Sequence, residues 1–135
     1  NISFRFFNVY GPRLNSTGQY GAVFGNFLKQ KKNNKPLTIV GDGKQTRDFI
    51  HVEDLIDAFL KMIKTPLANK IYNLGSGKET SINQIASLFG GKRVFIPKRP
   101  GEPKRSCANI NKVKNDIKWH PKICISKGVD KLLNS

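Results

Sequence analysis

Two arginines, Arg47 and Arg99, are the side chains best suited to bind an anion that carries two charged groups. Arg47 follows a glycine turn and precedes a short predicted strand, whereas Arg99 lies in a loop stiffened by prolines. Guanidinium groups form paired hydrogen bonds with phosphate oxygens, so two of them from separate loops can hold the two phosphates of a diphosphate. The alternative is that each arginine pairs with a nearby carboxylate, such as Asp48 or Glu102, as many surface arginines do.

Asn8 is a third candidate, because it stands where a predicted strand meets the turn formed by Gly11 and Pro12. Binding groups in open α/β sheets lie at the ends of strands, and this amide can donate to a phosphate oxygen. The alternative is that the side chain hydrogen-bonds the backbone of the turn. The residues alone leave both interpretations open.

Other polar clusters carry weaker signals. Gly75-Ser76-Gly77 follows a predicted strand, but Thr80 stands where the third glycine of a G-x-G-x-x-G loop belongs, so we predict a strand-to-loop turn. Glu53 and Asp54 begin a helix, where carboxylates interact favourably with the helix dipole, and no oxygen-rich ligand loop accompanies them. We therefore expect no metal site, and we expect His51 to pack at the end of a strand.

The composition is typical of one domain of ordinary size: 135 residues, of which 38% are hydrophobic and 10% aromatic. No apolar run approaches the ~20 residues that a membrane span requires, and no signal peptide is visible. We therefore expect a cytoplasmic protein. Its two cysteines, Cys107 and Cys124, are too few for a disulfide framework and are expected to be reduced packing residues.

The charge balance is strongly basic, with 24 Lys and Arg against 9 Asp and Glu and a formal net charge of +15. This raises the alternative of a non-enzymatic module that binds polyanions. The lysines are scattered, however, or crowd a predicted helix end from Lys29 to Lys35, where cations interact favourably with the dipole. We therefore expect neither a nucleic-acid nor a membrane partner.

Predicted strands and helices alternate along the chain, which favours an α/β fold. A polar loop is predicted from Asn15 to Tyr20, a capping box at Ser81, and helix caps at Asn109 or Asn111 and at Ser126. The predicted strands are Ser3–Val9, which is expected to be buried, Leu37–Val40, Asp48–Val52, Ile71–Leu74 and Arg93–Ile96. The predicted helices are Ala22–Lys32, Glu53–Ile63, Ile82–Phe89, one that reaches Ile117, and Lys127–Leu133.

Six motifs in a fixed order resemble the extended short-chain dehydrogenase/reductase family, nearest to UDP-glucose 4-epimerases and nucleotide-sugar 4,6-dehydratases. The motifs are Asn8-Val9-Tyr10-Gly11-Pro12-Arg13, Gly41-Asp42-Gly43 followed by Gln45-Thr46-Arg47-Asp48-Phe49, Val52-Glu53-Asp54, Tyr72-Asn73-Leu74-Gly75-Ser76-Gly77, Arg99-Pro100-Gly101-Glu102, and Asn109-Ile110-Asn111-Lys112 with Trp119-His120-Pro121. The resemblance covers essentially the whole chain. It implies the last strands of a Rossmann (doubly wound parallel) sheet, in residues 1–12 and 53–75. Residues 13–52 and 76–135 would form a smaller C-terminal substrate-binding domain.

The resemblance also implies roles for individual residues. Arg47 and Arg99 would bind the diphosphate of a nucleotide sugar, with Asn8 on its other side. Glu102 would accept a hydrogen bond from a ribose hydroxyl. Thr38 and Val40 would border the nucleotide base with Val23 nearby, and the backbone around Phe6 and Phe7 would approach the nicotinamide of NAD.

Two features of the family are missing from this sequence. These are the glycine-rich dinucleotide loop and the Tyr-x-x-x-Lys catalytic pair, since Tyr10, Tyr20 and Tyr72 have no lysine four positions on. In the family, NAD oxidises the sugar at C4 with the tyrosine as base, and the keto intermediate is then reduced from the other face or loses water. We therefore expect NAD to be bound mainly by a missing N-terminal half, no catalytic residue in this chain, and no activity of the chain alone.

An apolar edge would be bare without the earlier strands of the sheet, and such edges pair or aggregate. The chain alone is therefore predicted to be unstable or self-associating, and the resemblance implies a homodimeric parent enzyme. A nucleotide-sugar reductase or decarboxylase on the same scaffold is an alternative, because the residues that would discriminate flank the missing tyrosine.

Overall fold

A computed structural model describes residues 1–14 and 23–135. The described residues form seven strands and five helices, which confirms the predicted α/β class. The predicted loop from Asn15 to Tyr20, and the predicted helix start at Ala22, lie outside the described residues. In chain order the elements are β1 (Ile2–Phe6), β2 (Asn8–Tyr10), α1 (Val23–Lys32), β3 (Leu37–Val40), β4 (Thr46–His51), α2 (Val52–Ile63), β5 (Lys70–Leu74), β6 (Glu79–Ser81), α3 (Ile82–Phe89), β7 (Arg93–Ile96), α4 (Asn111–Ile117) and α5 (Ile125–Leu133).

The described strands pair in three small sheets whose ladders are mostly parallel. β1 pairs with β5 and β3 pairs with β7, both in parallel, while β4 lies between the parallel β2 and the antiparallel β6. Parallel neighbours bring their carboxyl ends to the same edge of a sheet. The loops that follow β3 and β7 therefore leave from one edge, where their side chains can face a common ligand.

The first strand differs from its prediction, because the single buried strand over Ser3–Val9 is divided between two sheets. Phe7 lies at the division, and its backbone N–H donates to the carbonyl oxygen of Leu74 at 3.0 Å. β1 then pairs only with β5 among the described strands, and Phe6 is 52% exposed. The prediction of a buried strand is therefore wrong for β1.

Two predicted helix caps are not formed, and β4 and α2 are offset from their predicted bounds, since β4 spans Thr46–His51 and α2 begins at Val52. No side chain caps α4, which follows Ile110, although Asn109 Oδ1 accepts the N–H of Asn111 at 3.1 Å. α5 begins at Ile125, so Ser126 lies inside the helix and does not cap it. The short strand β6 was not predicted, because three residues become a strand only through pairing with β4.

Two hydrophobic clusters form the core. One contains Tyr10 with the buried residues of α1, β3, α3 and α5, and the other joins α2, β5 and α4 around Trp119. α2 buries Leu55, Ala58 and Met62, whereas its other large apolar residues Ile56, Leu60 and Ile63 are exposed. The ring of Phe59 meets those of Phe4 and Phe6, so this exposed stripe continues onto β1.

Tyr10 of β2 packs directly against Gly128 of α5. Tyr10 stacks on Phe24 with 4.3 Å between ring centroids, and its hydroxyl is buried against the helix. A Cβ atom at Gly128 would lie 1.9 Å from Tyr10 Oη. α5 therefore packs this closely only because position 128 has no side chain.

Both cysteines are free, but Cys107 and Cys124 are exposed rather than packed in the core as expected. Among the residues that the structure describes, no helix is long and apolar enough to cross a membrane.

Candidate functional site

A cavity of about 180 Å³ lies at the edge where β3 and β7 end. Its walls come from β2, α1, β3, β4 with the residue before it, the start of α3 and the loop that follows β7. All seven residues that the resemblance assigns to the substrate line this cavity, namely Asn8, Val23, Thr38, Val40, Arg47, Arg99 and Glu102. The fold thus brings together side chains that are widely separated in the sequence.

Arg47 reaches the cavity from β4 and is already engaged by two acceptors. Its Nη2 atom lies 3.1 Å from Glu102 Oε1, and its Nη1 atom donates to the carbonyl oxygen of Thr46 at 2.8 Å. The side chains of Arg47 and Glu102 are 15% and 29% exposed, so this ion pair is only partly screened by solvent. Of the two carboxylates considered as partners, Glu102 is therefore the one that pairs with Arg47.

Asp48 is buried on the opposite side of β4, as expected from the alternation of side chains along a strand. Its Oδ1 atom accepts the backbone N–H of Ser76 at 2.6 Å and the Ser76 hydroxyl at 2.7 Å. Its Oδ2 atom accepts the N–H groups of Gly77 at 2.9 Å and Ala108 at 3.0 Å. Asp48 thereby fastens β4, which carries Arg47, to the loop after β5 and to the segment before α4.

The Gly75-Ser76-Gly77 segment is a strand-to-loop turn, as predicted. The N–H groups of Ser76 and Gly77 both donate to Asp48, so neither is available to a phosphate. A Cβ atom at Gly75 would lie 2.5 Å from Ala108 and 2.8 Å from Asp48 Oδ2, so the turn is tightly filled. These residues do not fit the pyrophosphate of a dinucleotide.

Asn8 faces the cavity from β2 and donates from Nδ2 to the backbone carbonyl oxygen of Asp48 at 2.9 Å. The acceptor lies on the neighbouring strand β4, not in the Gly11-Pro12 turn that was the alternative partner. This bond fixes the side chain at the cavity wall.

Arg99 enters the same cavity from the loop after β7. It makes no ion pair with any carboxylate of the described residues. The loop bends at Gly101, whose φ of +75° is in the left-handed region that favours glycine. Arg99 therefore presents an unpaired cation to the cavity that Arg47 also lines.

A larger cavity of about 570 Å³ adjoins the first one. The two share Val40, Gln45 and Glu102 in their linings, and Gln45 Nε2 donates to the carbonyl oxygen of Val40 at 2.8 Å. The cationic residues of the larger cavity are Lys44, Lys98, Lys104 and Arg105. Of these, only Arg105 makes an ion pair with a described carboxylate, that of Glu79.

The sequence interpretation missed several residues that line the smaller cavity: Asn26, Phe27, Gln45, Phe49 and Ile82. Asn26 and Phe27 follow Val23 by three and four positions on α1, and this helical spacing was a signal that would have placed them on the same face. Ile82 lies at the start of α3, and no local pattern relates it to the cavity.

Phe6 and Phe7, the residues expected to approach NAD, line neither cavity. Phe6 is half exposed at the end of β1, and its ring centroid lies 6.0 Å from that of Phe59. Phe7 is partly buried against the cluster around Trp119. Both precede Asn8 directly, so they adjoin the cavity through the chain itself.

The carboxylates at the start of α2 have structural partners. Glu53 pairs with Lys131, which lowers the pKa of Glu53, and the two Asp54 oxygens accept the N–H groups of Lys122 and Ile123, each at 2.9 Å. His51 is 1% exposed at the end of β4, as expected. Within the described ranges, no group of three His, Cys, Asp or Glu side chains could hold a metal ion.

The sequence profile of the NAD-dependent epimerase/dehydratase family matches residues 1–75, which is more than half of the chain. The chain therefore belongs to this family, which confirms the resemblance indicated by the six motifs. The match and the parallel sheets agree with a part of a Rossmann-type enzyme fold.

Individual relatives and structures extend over nearly the whole chain. It is 34% identical to a UDP-glucuronate 4-epimerase of Thermodesulfobacterium geofontis, over 96% of this chain and 41% of that protein. It is 32% identical to UDP-glucuronic acid decarboxylase 1 of Xenopus tropicalis, over 96% of this chain and 32% of that protein. A crystal structure of UDP-glucuronic acid 4-epimerase from Bacillus cereus, in complex with UDP-glucuronic acid and NAD, matches with a TM-score of 0.85 at 32% identity, over 97% of this chain and 43% of that chain. The chain thus spans less than half the length of the proteins it matches.

Proposed function

We propose that this chain is the substrate-binding portion of an NAD-dependent nucleotide-sugar epimerase or 4,6-dehydratase, similar to UDP-glucose 4-epimerases. The observation that supports this most strongly is the convergence of the seven assigned substrate residues on one cavity. That cavity holds two guanidinium groups, one from β4 and one from the loop after β7, which suits a ligand with two adjacent phosphates.

Each residue has a distinct part in this proposal. Arg47 and Arg99 bind the diphosphate, and Asn8 contacts it from the β2 side. Glu102 accepts a hydrogen bond from a ribose hydroxyl. The nucleotide base rests against the end of β3, at Thr38 and Val40, with Val23 of α1 nearby. Such positioning of a substrate is a large part of catalysis, even without a reacting group.

NAD is proposed as the cofactor of the complete enzyme and supplies the hydride chemistry when bound. Since the Gly75-Ser76-Gly77 turn does not fit its pyrophosphate, only the end of β1 is assigned to it here. Phe6 and Phe7 would lie beside the nicotinamide. The Tyr-x-x-x-Lys pair is not in this sequence, so we expect the chain alone to bind substrate without turning it over.

A decarboxylase on the same scaffold is a second candidate, because the relatives include a UDP-glucuronic acid decarboxylase as well as epimerases. Both candidate enzymes must bind a nucleotide diphosphate in the same way. They differ in the sugar and in the step that follows its oxidation, for which this chain supplies no reacting group.

The proposal is tested by isothermal titration of the 135-residue chain with UDP-glucose and UDP-glucuronic acid. Arg47→Lys and Arg99→Lys remove the planar two-pronged donor while keeping the charge, and each is expected to weaken binding at least tenfold. Arg5→Lys is the matched control, because Arg5 is exposed on β1 and lines neither cavity.

The competing interpretation, a non-enzymatic polyanion-binding module, predicts a different result. Binding would then depend on total charge, so all three Arg→Lys variants would resemble the wild type. Heparin would bind more tightly than UDP-sugars, with a steep dependence on salt. That pattern would contradict the proposed function.

A further inference from the structure

Glu102 occupies the position of an anion beside Arg47. The carboxylate contacts the guanidinium at 3.1 Å, and Glu102 is in the lining of both cavities. The two residues come from elements 55 positions apart in the sequence, so the loop after β7 must be folded over β4 for the pair to form. An anionic ligand that binds Arg47 therefore competes with a carboxylate that belongs to the protein.

The consequence of this competition depends on what else the ligand carries. When an anion takes the guanidinium, Glu102 loses its only described ion-pair partner and its charge lies near the bound anion. A ligand with hydroxyl groups next to its phosphates restores a hydrogen-bond donor to the carboxylate. A bare polyphosphate offers no donor and adds like-charge repulsion, which disfavours its binding.

The surrounding charge explains why such discrimination matters for this chain. Lys44, Lys98 and Lys104 line the adjoining cavity without an ion-pair partner among the described residues, and Arg99 is likewise unpaired. The other carboxylate in that lining, Asp42, accepts the backbone N–H of Lys44 at 2.9 Å. Without Glu102, this cationic edge would attract any polyphosphate.

We propose that Glu102, through its ion pair with Arg47, is a specificity-determining residue that admits diphosphates joined to a hydroxyl-bearing sugar and excludes inorganic polyphosphates. The inference rests on the proposed function, since it requires that Arg47 binds the diphosphate. It adds to that function a selection against inorganic polyphosphates, which arises from the ion pair between Arg47 and Glu102.

The test compares the binding of UDP and inorganic pyrophosphate to the wild-type chain and to Glu102→Gln, at constant ionic strength. Gln keeps the size of the side chain but removes the charge that holds Arg47. We expect pyrophosphate to bind Glu102→Gln at least tenfold more tightly than the wild type, and UDP to bind no more tightly. Glu102→Asp keeps the charge on a shorter side chain and is expected to give an intermediate ratio.

Glu53→Gln is the matched control, because it changes the net charge equally and Glu53 lines neither cavity. It should change the affinity for either ligand less than threefold. The inference would be overturned if the affinity for pyrophosphate were unchanged in Glu102→Gln, or if it rose equally in Glu53→Gln. In either case, UDP binding to the wild type would still support the proposed function. A wild-type chain that binds pyrophosphate as tightly as UDP would contradict the discrimination, and UDP binding that is unaffected by Arg47→Lys would contradict the proposed function itself.

Discussion

Asp48 holds the backbone N–H of Ser76 at 2.6 Å, although the two residues are 28 positions apart in the sequence. The same carboxylate also accepts the N–H groups of Gly77 and Ala108. It therefore joins three segments: β4, the loop after β5 and the segment before α4. Because Asp48 is next to Arg47 on β4, these hydrogen bonds also fix the strand that carries Arg47, the proposed diphosphate-binding residue.

Asp48→Asn should destabilise the chain by about 3 kcal/mol, because one carboxylate oxygen becomes an amide donor that faces buried N–H groups. Urea denaturation followed by circular dichroism measures this loss. Asp130→Asn is the control: it removes the same charge from an exposed residue of α5 and should change stability by about 0.5 kcal/mol or less. Equal effects of the two substitutions would show that the Asp48 contacts contribute little.

His51 should make stability fall as the pH drops below about 6.5, the ordinary pKa of histidine. Its Nδ1 atom accepts the N–H of Glu53 at 3.2 Å and caps α2, and burial lowers the pKa of His51. The unfolded chain therefore binds a proton that the folded chain resists, so stability is complete above this pH and is lost below it. Melting temperatures measured between pH 5 and 7.5 would reveal the decline.

His51→Asn keeps an acceptor for the cap but does not titrate, so its stability should change less over this range than that of the wild type. His120→Asn, at an exposed position, should retain the wild-type decline. A decline in stability that persists in His51→Asn but disappears in His120→Asn would show that His120 causes it, and would contradict the prediction.

The ionised Glu79 side chain should stabilise the fold at neutral pH, and this stabilisation should be lost in acid. Hydrogen bonds from Arg105 and Thr46 lower the pKa of Glu79 to about 2, from an ordinary value of 4.5. The contribution is therefore complete above the unfolded value and is lost as the pH falls toward 2. Glu79→Gln should melt below the wild type at pH 7, and the two melting temperatures should converge as the pH approaches 2. A constant difference across this range would mean that the effect of Glu79 is not electrostatic.

Self-association of the chain is predicted from the exposed stripe of α2, where Leu60 is 54% and Ile63 is 81% exposed. Contiguous apolar surface of this kind marks contact sites. Leu60→Lys combined with Ile63→Lys should shift sedimentation profiles toward the monomer. The control pair Asn33→Lys with Asn115→Lys, which adds the same charge at exposed polar positions, should not. A wild-type chain that is a monodisperse, cooperatively melting monomer would refute the prediction.

Local chemistry made some elements predictable from the sequence. α3 begins and ends as predicted, because Ser81 and Gln84 form a capping box within one turn and Gly90 follows the last helical residue. The basic end of α1 is likewise local, since Lys29, Lys31 and Lys32 all lie in its last turn. Such features depend on residues a few positions apart and need no knowledge of the rest of the fold.

Long-range pairing limited the remaining predictions. The division between β1 and β2 depends on the bond from Phe7 to Leu74, and β6 exists only because β4 lies beside it. The motifs identified the residues of the cavity, but the pairing of Arg47 with Glu102 in preference to Asp48 was left open. That choice follows from the pairing with the unpredicted β6, which extends β4 back to Thr46 and so places Arg47 and Asp48 on opposite faces of one strand.

The contact between Tyr10 and Gly128 restricts which residues two distant positions can carry. An alanine at position 128 would collide with Tyr10 Oη, and also with Cζ at 2.7 Å and Cε2 at 2.8 Å, so replacing the tyrosine by phenylalanine would not make sufficient room. A larger residue at 128 is compatible with this fold only together with a smaller, non-aromatic residue at 10, two positions after Asn8 on β2. Sequences that adopt this packing can therefore lose the tyrosine alone, at the cost of a cavity, but cannot lose the glycine alone.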